Sequence, residues 1–80
     1  MTEQEFYKAI GQKIREFRKQ KGLTQKQVAK KAEIHQGDLA TFENKGERIK
    51  SADIIRRMVE ATGHTMTELF TPARVDVRNL

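Results

Sequence analysis

The sequence contains no cysteine and only two histidines, His35 and His64, among its 80 residues. Without cysteine there is neither a disulfide framework nor a thiolate metal site. Two histidines so far apart in the chain are too few for a convincing metal-binding cluster. We therefore expect no metal and no other cofactor. Eighty residues suffice for one small domain, whose core must be held by a few well-placed apolar side chains.

Long apolar runs are also missing. No stretch approaches the length of a membrane-spanning helix, and the N-terminus, MTEQEFYK, does not read as a secretory signal peptide. We therefore expect a cytoplasmic protein without membrane contact. An enzyme is not expected, because no nucleophile is matched to a base, no glycine-rich phosphate loop follows a strand, and no carboxylate pair lies in an evident cleft.

The positive charge is unevenly distributed along the chain. The net charge is +5, from 16 Lys and Arg against 11 Asp and Glu. Residues 1–33 carry nine of these cations and four glutamates, so they hold the whole excess, whereas residues 34–80 are neutral. A basic segment in a small domain suggests a nucleic-acid partner. A solvated charged surface explains the same pattern, so charge alone leaves both interpretations open.

Apolar spacing predicts five short helices and an all-α fold. Phe6, Ile10, Ile14 and Phe17 form one face of a first helix, which Gly22 ends. Residues that cap helices mark the starts of the others. Thr24 caps a helix that runs to about Ala32, and a third helix is predicted from His35 or Gln36 to its end at Asn44-Lys45-Gly46. Ser51 caps a fourth helix, which runs to about Ala61, and Thr65 caps a last one from Met66 to Phe70.

Residues 71–80 are predicted to form a tail after a domain that comprises residues 1–70. Within the tail, Arg74-Val75-Asp76-Val77-Arg78 alternates polar and apolar residues, which is typical of a strand. In so short a tail the pattern also fits a frayed chain end. The alternative is a short strand that pairs with a second subunit and so takes part in dimerisation.

Residues 25–44, QKQVAKKAEIHQGDLATFEN, carry the strongest motif. Two helices joined by about three residues must cross steeply, and a steep crossing needs a small side chain, which Ala29 supplies. Apolar residues stand at the positions that must attach the pair to a core. They are Val28, Ala32, Ile34, Leu39 and Phe42. This is the periodicity of a DNA-binding helix-turn-helix.

Leu23-Thr24-Gln25 stand at the start of this segment, and Phe42-Glu43-Asn44 and Gly46 stand at its end. With these residues the segment resembles the Cro/C1-type (XRE) helix-turn-helix family. The resemblance covers nearly the whole chain and implies a lambda-repressor-like domain of five helices. It implies a sequence-specific regulator, expected to be a repressor, whose helix at about residues 35–44 enters the major groove of a double-stranded DNA operator. Because two-fold operators match two-fold proteins, a homodimer is expected.

The resemblance implies roles for individual residues. The positions expected to contact bases are His35, Gln36, Gly37, Asp38 and Thr41. The positions expected to contact phosphates are Thr24, Gln25, Lys26, Asn44, Lys45, Arg48 and Lys50. Arg18 and Glu43 match a largely buried ion pair that ties the first helix to the end of the third. Gln36 fits its role best, because a Gln side chain both donates and accepts and can pair with adenine N6 and N7.

Three residues fit the motif less simply. Asp38 either accepts a hydrogen bond from cytosine N4 or faces solvent at the groove edge. Glu33 stands where family members usually have glycine, so we expect a left-handed backbone there, at a cost of roughly 1 kcal/mol. Gly37 weakens the third helix by up to about 1 kcal/mol relative to alanine. It either lets the backbone approach a base pair or leaves one contact missing.

A second interpretation is a protein-interaction module of the same fold, such as an antitoxin or a phage regulator with a protein partner. It is favoured because the segment from Ile34 to Asn44 contains no Lys or Arg. Gln25, Gln36 and the cationic loop favour DNA instead. The expected dimer surface comprises Met66, Leu69 and Phe70 with Val75 and Val77. The alternative is that Leu69 and Phe70 only close the core of the monomer.

Overall fold

The computed structural model describes residues 1–70, so the predictions made for the tail lie outside the described residues. Residues 1–70 contain five α-helices and no strand, in agreement with the predicted all-α fold. The helices are α1 (Glu3–Gln20), α2 (Gln25–Ala32), α3 (Gln36–Lys45), α4 (Ala52–Ala61) and α5 (Met66–Phe70).

Local capping sets the helix boundaries. Thr2 forms a reciprocal capping box with Glu5 at the start of α1, and Thr24 forms another with Gln27 at the start of α2. Each box satisfies backbone N–H groups that have no partner within the helix. At the C-terminal end of α3, Gly46 adopts the left-handed conformation (φ 69°) that stops a helix. The start of α2 after Thr24 and the end of α3 at Gly46 confirm the boundaries predicted for these two helices.

One core joins the helices. Its buried apolar residues are Ile10, Ile14, Phe17, Val28, Ala29, Ala32, Leu39, Phe42, Ile49, Ile55, Met58, Val59, Ala61 and Leu69. Burial of a large side chain such as Phe42, which has no exposed area, stabilises the fold by about 1.5–3 kcal/mol. The apolar positions predicted for the helix-turn-helix segment are therefore confirmed, although Ile34 is only half-buried.

Phe6 and Ile49 depart from the expected pattern of burial. Phe6 continues the apolar face of α1, yet it stays 40% exposed because it lies near the start of the helix, at the rim of the core. Ile49 lies in the loop between α3 and α4 and is buried. A single apolar residue in a loop has no periodicity, so only the packed structure shows that it belongs to the core.

α1 and α3 approach each other closely at two glycines. A Cβ atom on Gly11 would lie 2.0 Å from the carbonyl oxygen of Phe42. A Cβ atom on Gly46 would lie 2.3 Å from the backbone nitrogen of Lys8. Only glycine permits backbones to come this close. The two contacts hold α3 against α1 and so fix the orientation of the helix that was expected to read DNA.

Candidate nucleic-acid interface

α2 and α3 form the predicted helix-turn-helix, with residues 33–35 between them. Glu33 has the expected left-handed backbone (φ 59°, ψ 47°). The backbone N–H of Ile34 donates to the carbonyl oxygen of Ala29 at 3.0 Å, so the chain turns sharply as it leaves α2. Ala29 itself is buried, and its small side chain leaves room for the two helices to cross.

The inner face of α3, formed by Leu39, Phe42 and Glu43, is buried, and Glu43 retains 1% of its exposure. Arg18 Nε donates to Glu43 Oε2 at 2.8 Å, and Arg18 Nη2 donates to Glu43 Oε1 at 3.0 Å. Arg18 Nη1 donates to the carbonyl oxygen of Leu23 at 2.9 Å. The ion pair implied by the resemblance is thus present in bidentate form. Glu43 turns its charge inward, away from any ligand of α3.

Gln25 belongs to the same buried network. Its Nε2 donates to Glu43 Oε1 at 3.1 Å, and the residue is half-buried. Because the Gln25 side chain bonds Glu43, the groups at the N-terminus of α2 that remain for an anion are backbone N–H groups. The Thr24 hydroxyl accepts from the N–H of Gln27, which leaves the N–H groups of Gln25 and Lys26 without an intrahelical partner. Such free N–H groups at a helix N-terminus bind phosphate oxygens.

The outer face of α3 points to solvent and carries every residue that was expected to contact bases. Within residues 1–70, none of its side chains forms a hydrogen bond or an ion pair. A Cβ atom on Gly37 would meet no atom within 4 Å, so the space beside the helix is open. The residues of this outer face are His35, Gln36, Gly37 and Asn44, which are exposed, and Asp38 and Thr41, which are half-buried.

The loop between α3 and α4 borders the outer face and is tied to α1. Gln4 Nε2 donates to the carbonyl oxygen of Lys45, the last residue of α3 before the loop. Lys50 Nζ lies 3.5 Å from Glu3 Oε1, in an exposed pair worth at most about 1 kcal/mol, which a phosphate can displace. Arg48 is exposed and has a left-handed backbone (φ 81°), a conformation that arginine does not favour and that the sequence did not indicate.

The cations of α4 are paired within that helix. Arg56 contacts Asp53 at 2.7 Å and Glu60 at 2.8 Å, and Arg57 lies 3.6 Å from Asp53. The hydrogen bond from Arg56 lowers the pKa of the Asp53 carboxyl, so the pair stays ionised. Within residues 1–70, by contrast, Arg18 is the only cation of residues 1–33 that forms an ion pair. The positive excess of α1 and α2 is therefore available to an outside anion.

Other kinds of site are not found in the described part of the chain. In residues 1–70, no group of three or more His, Cys, Asp or Glu side chains could hold a metal ion. The helices there include none with the length and apolarity needed to cross a membrane. The ring of His64 stacks on Phe17 with centroids 3.7 Å apart, and its Nδ1 lies 2.9 Å from Glu68 Oε2. His64 thus helps to attach α5 to α1.

Comparisons with known proteins agree with this architecture. The family model described as a helix-turn-helix domain matches residues 11–75. The clp gene regulator ClgR from C. glutamicum is similar, with 25% identity and a TM-score of 0.72 over 79% of this chain and 80% of that chain. The restriction-modification controller protein C.AhdI from Aeromonas hydrophila is also similar, with 29% identity and a TM-score of 0.74 over 82% of this chain and 98% of that chain. Among curated proteins, no match is found.

The family and the fold are those of DNA-binding regulators. The chain belongs to the helix-turn-helix domain family, because the family model covers most of its length. The predicted likeness to XRE-type regulators and the predicted lambda-repressor-like fold are both confirmed by the two solved structures.

Proposed function

We propose that this chain binds a double-stranded DNA operator in a sequence-specific manner, as a homodimer, and represses transcription in the cytoplasm. The observation that carries the proposal is the contrast within α3. Its inner face is fixed by the core and by the Arg18–Glu43 pair, while its outer face has no partner within residues 1–70. A rigid helix with free polar side chains is what readout of base edges in the major groove requires.

In this proposal the outer face reads bases and its surroundings bind phosphate. Gln36 lies in the first turn of α3 and offers one donor and one acceptor to adenine. The other base contacts are His35, Gly37, Asp38 and Thr41. Two regions beside the outer face bind phosphates in this proposal. One is the N-terminus of α2, and the other is the end of α3 with the α3–α4 loop. The residues concerned are Thr24, Gln25, Lys26, Asn44, Lys45, Arg48 and Lys50.

In this proposal a basic protein binds DNA through a helix that contains no Lys or Arg before Lys45, its last residue. One of the two acidic residues of α3, Glu43, is neutralised by Arg18 on the buried side. The other, Asp38, is half-buried at the edge of the outer face. Affinity for DNA then comes from backbone N–H groups and flanking cations, and specificity comes from uncharged polar side chains.

The homodimer is proposed to form over an apolar surface between α1 and α5, the Phe6–Phe70 surface. Phe70 is 57% exposed, and its ring stacks parallel to that of Phe6 with centroids 6.3 Å apart. Both rings line a cavity of about 280 Å³ together with Ala9, Ile10 and Leu69. Leu69 is buried in the core of the monomer and Met66 is half-buried against it, so Phe70 is the apolar residue of α5 that is most available to a second copy.

Selection of bound sequences from a pool of random DNA duplexes tests the proposed function. We expect a palindromic consensus whose affinity for the protein falls steeply with salt concentration, because several phosphate contacts release counterions. The spacing of the two half-sites would report the distance between the two recognition helices. Absence of any enriched sequence would contradict sequence-specific binding.

Sedimentation equilibrium tests the homodimer separately. A Phe70→Ser variant should have a larger dimer dissociation constant than the parent, and so dissociate at a higher protein concentration, because it removes apolar area from the Phe6–Phe70 surface. Lys30→Ser is the control, since Lys30 is exposed on α2 and does not line the cavity. Equal dissociation constants for the two variants would place the dimer surface elsewhere.

The second candidate function is binding of a protein partner through the same fold. It is favoured by the absence of Lys and Arg from Ile34 to Asn44 and by the exposed aromatic rings of the Phe6–Phe70 surface. In that case the random pool yields no consensus, and the protein binds DNA only weakly and without sequence preference. The same selection experiment therefore separates the two candidates.

A further inference from the structure

Four exposed residues of α1 form a continuous strip outside the helix-turn-helix motif. They are spaced by four, three and four positions, so they lie on one face of the helix. The strip, called the α1 flank, consists of Lys8, Gln12, Arg15 and Lys19. Within residues 1–70, none of its three cations forms an ion pair. Within residues 1–70, the positive charge of the flank is therefore not neutralised by an ion pair.

The α1 flank borders the side of α1 that touches α3. Gln4, Gly11 and Arg18 form the contact line, since Gln4 and Arg18 bond Lys45 and Glu43 and Gly11 abuts the Phe42 backbone. Lys8 follows Gln4 by four residues and Arg15 follows Gly11 by four, a step that rotates a side chain by only about 40° around the helix. The flank thus lies immediately beside the seam between α1 and α3.

Both ends of α1 adjoin a region that the proposed function assigns to phosphate. Near the C-terminal end, Arg18 donates to the carbonyl oxygen of Leu23, directly before the cap of α2. Near the N-terminal end, Gln4 contacts Lys45 at the end of α3, and Glu3 contacts Lys50 of the α3–α4 loop. The α1 flank therefore bridges the two regions, and it extends over about 16 Å from Lys8 to Lys19 at 1.5 Å per residue.

We propose that the α1 flank is an additional contact surface for the phosphate backbone of DNA, with Lys8 and Arg15 as its main residues. This inference rests on the proposed function, because it places the flank between the two regions that the proposed function assigns to phosphate, the α2 N-terminus and the α3–α4 loop. Glu16 is the acidic residue beside the flank, and it shares a shallow groove with Gln12, Arg15 and Lys19. A Glu16→Gln variant should accordingly strengthen binding.

The test compares two variants that remove the same charge. Lys8→Gln/Arg15→Gln changes the flank. Lys21→Gln/Lys30→Gln is the control, because Lys21 lies beside Gly63 in the turn between α4 and α5 and Lys30 is on the exposed face of α2. Affinity for the duplex selected from the random pool is measured across a salt series, and thermal unfolding verifies that both variants fold as the parent does.

The flank variant should reduce the slope of log K against log salt by about 1.8, since each lost phosphate contact contributes about 0.9, and the control should leave the slope unchanged. Equal slopes for the flank variant and the control would overturn the proposal, and would point to an acidic protein segment as the partner of the flank. If the parent selects no sequence, the proposed function fails, and the same comparison on a mixed-sequence 30-base-pair duplex still decides the role of the flank.

Discussion

The two faces of α3 differ in the number of partners that their side chains have. On the inner face, Glu43 accepts three hydrogen bonds from Arg18 and Gln25, and Phe42 is packed on all sides. On the outer face, Gln36 and its neighbours have no intramolecular partner within residues 1–70. The ten residues of α3 thus stabilise the fold with one face and, in the proposed function, recognise DNA with the other. Substitutions on the two faces should therefore have different kinds of effect.

The largest effect is expected from Arg18→Ala, which leaves the buried Glu43 carboxylate without its cation. Removing one partner of a buried ion pair typically costs about 3–5 kcal/mol, a large part of the stability of a small domain. The free energy of unfolding is measured by urea denaturation. Arg56→Ala, which breaks two exposed pairs on α4, is the control and should cost far less, because exposed ion pairs are screened by solvent.

An Arg18→Met/Glu43→Leu double variant sharpens this prediction. Because it removes both charges and keeps the volume filled, it should recover most of the stability that Arg18→Ala loses. At a temperature where it remains folded, Arg18→Ala should prefer the same DNA sequence as the parent, since the outer face of α3 is unchanged. A loss for Arg18→Ala no greater than that of Arg56→Ala would show that the pair does not hold α3.

The second largest effect on stability is expected from Gly11→Ala. The added Cβ atom would lie 2.0 Å from the Phe42 carbonyl oxygen, so α1 and α3 must separate. Overpacking of this kind costs typically 1–3 kcal/mol, which outweighs the gain of up to about 1 kcal/mol that alanine brings to a helix. A melting temperature equal to or above that of the parent would contradict the close approach of the two helices.

On the outer face, Gln36→Ala should change recognition and leave stability nearly unchanged. The variant should lose about 1–3 kcal/mol of discrimination at one base pair, measured by competition between the selected duplex and its single-base variants. Its free energy of unfolding should stay within about 0.5 kcal/mol of the parent, because an exposed side chain without partners is removed. If the variant discriminated every base pair as the parent does, Gln36 would not read DNA.

Much of the fold could be predicted from the sequence, because its determinants are local. The capping boxes at Thr2 and Thr24 involve residues three positions apart, and the apolar faces of the helices repeat at fixed spacing. Gly11 and Ile49 could not be assigned in this way. Gly11 matters because of Phe42, which is distant in sequence, and Ile49 lies alone in a loop.

The candidate site was predictable to a smaller extent. The resemblance pointed to the outer face of α3 and to the Arg18–Glu43 pair. The structure forms the pair and leaves that face open to solvent, while the contacts of its residues with bases stay a prediction. The engagement of Gln25 with Glu43 and the left-handed backbone of Arg48 had no signal in the sequence. Both depend on how the α2 N-terminus and the α3–α4 loop pack against the rest of the fold.

A substitution in the turn between α2 and α3 should have a smaller effect on the free energy of unfolding. Glu33 is held at φ 59°, where a residue with a side chain is strained by roughly 1 kcal/mol relative to glycine. Glu33→Gly should therefore raise the free energy of unfolding by up to about 1 kcal/mol, less the entropy that glycine adds to the unfolded chain. Thermal denaturation provides the measurement, with Lys31→Gly in the helical part of α2 as a control that should be destabilising.

The smallest effect is expected at Gly37, the outer-face counterpart of Gly11. A Cβ atom there would meet nothing within 4 Å, so Gly37→Ala should stabilise the domain by up to about 1 kcal/mol through helix propensity alone. The change from glycine to alanine should thus lower the free energy of unfolding at Gly11, where α1 contacts the inner face of α3, and raise it at Gly37 on the outer face. Calorimetric melting of the two variants side by side tests this, and a destabilised Gly37→Ala would mean that the outer face is not open. Since the variant folds at least as well as the parent, any loss of affinity for the selected duplex would arise from the new methyl group at the DNA, where the backbone must come close to a base pair.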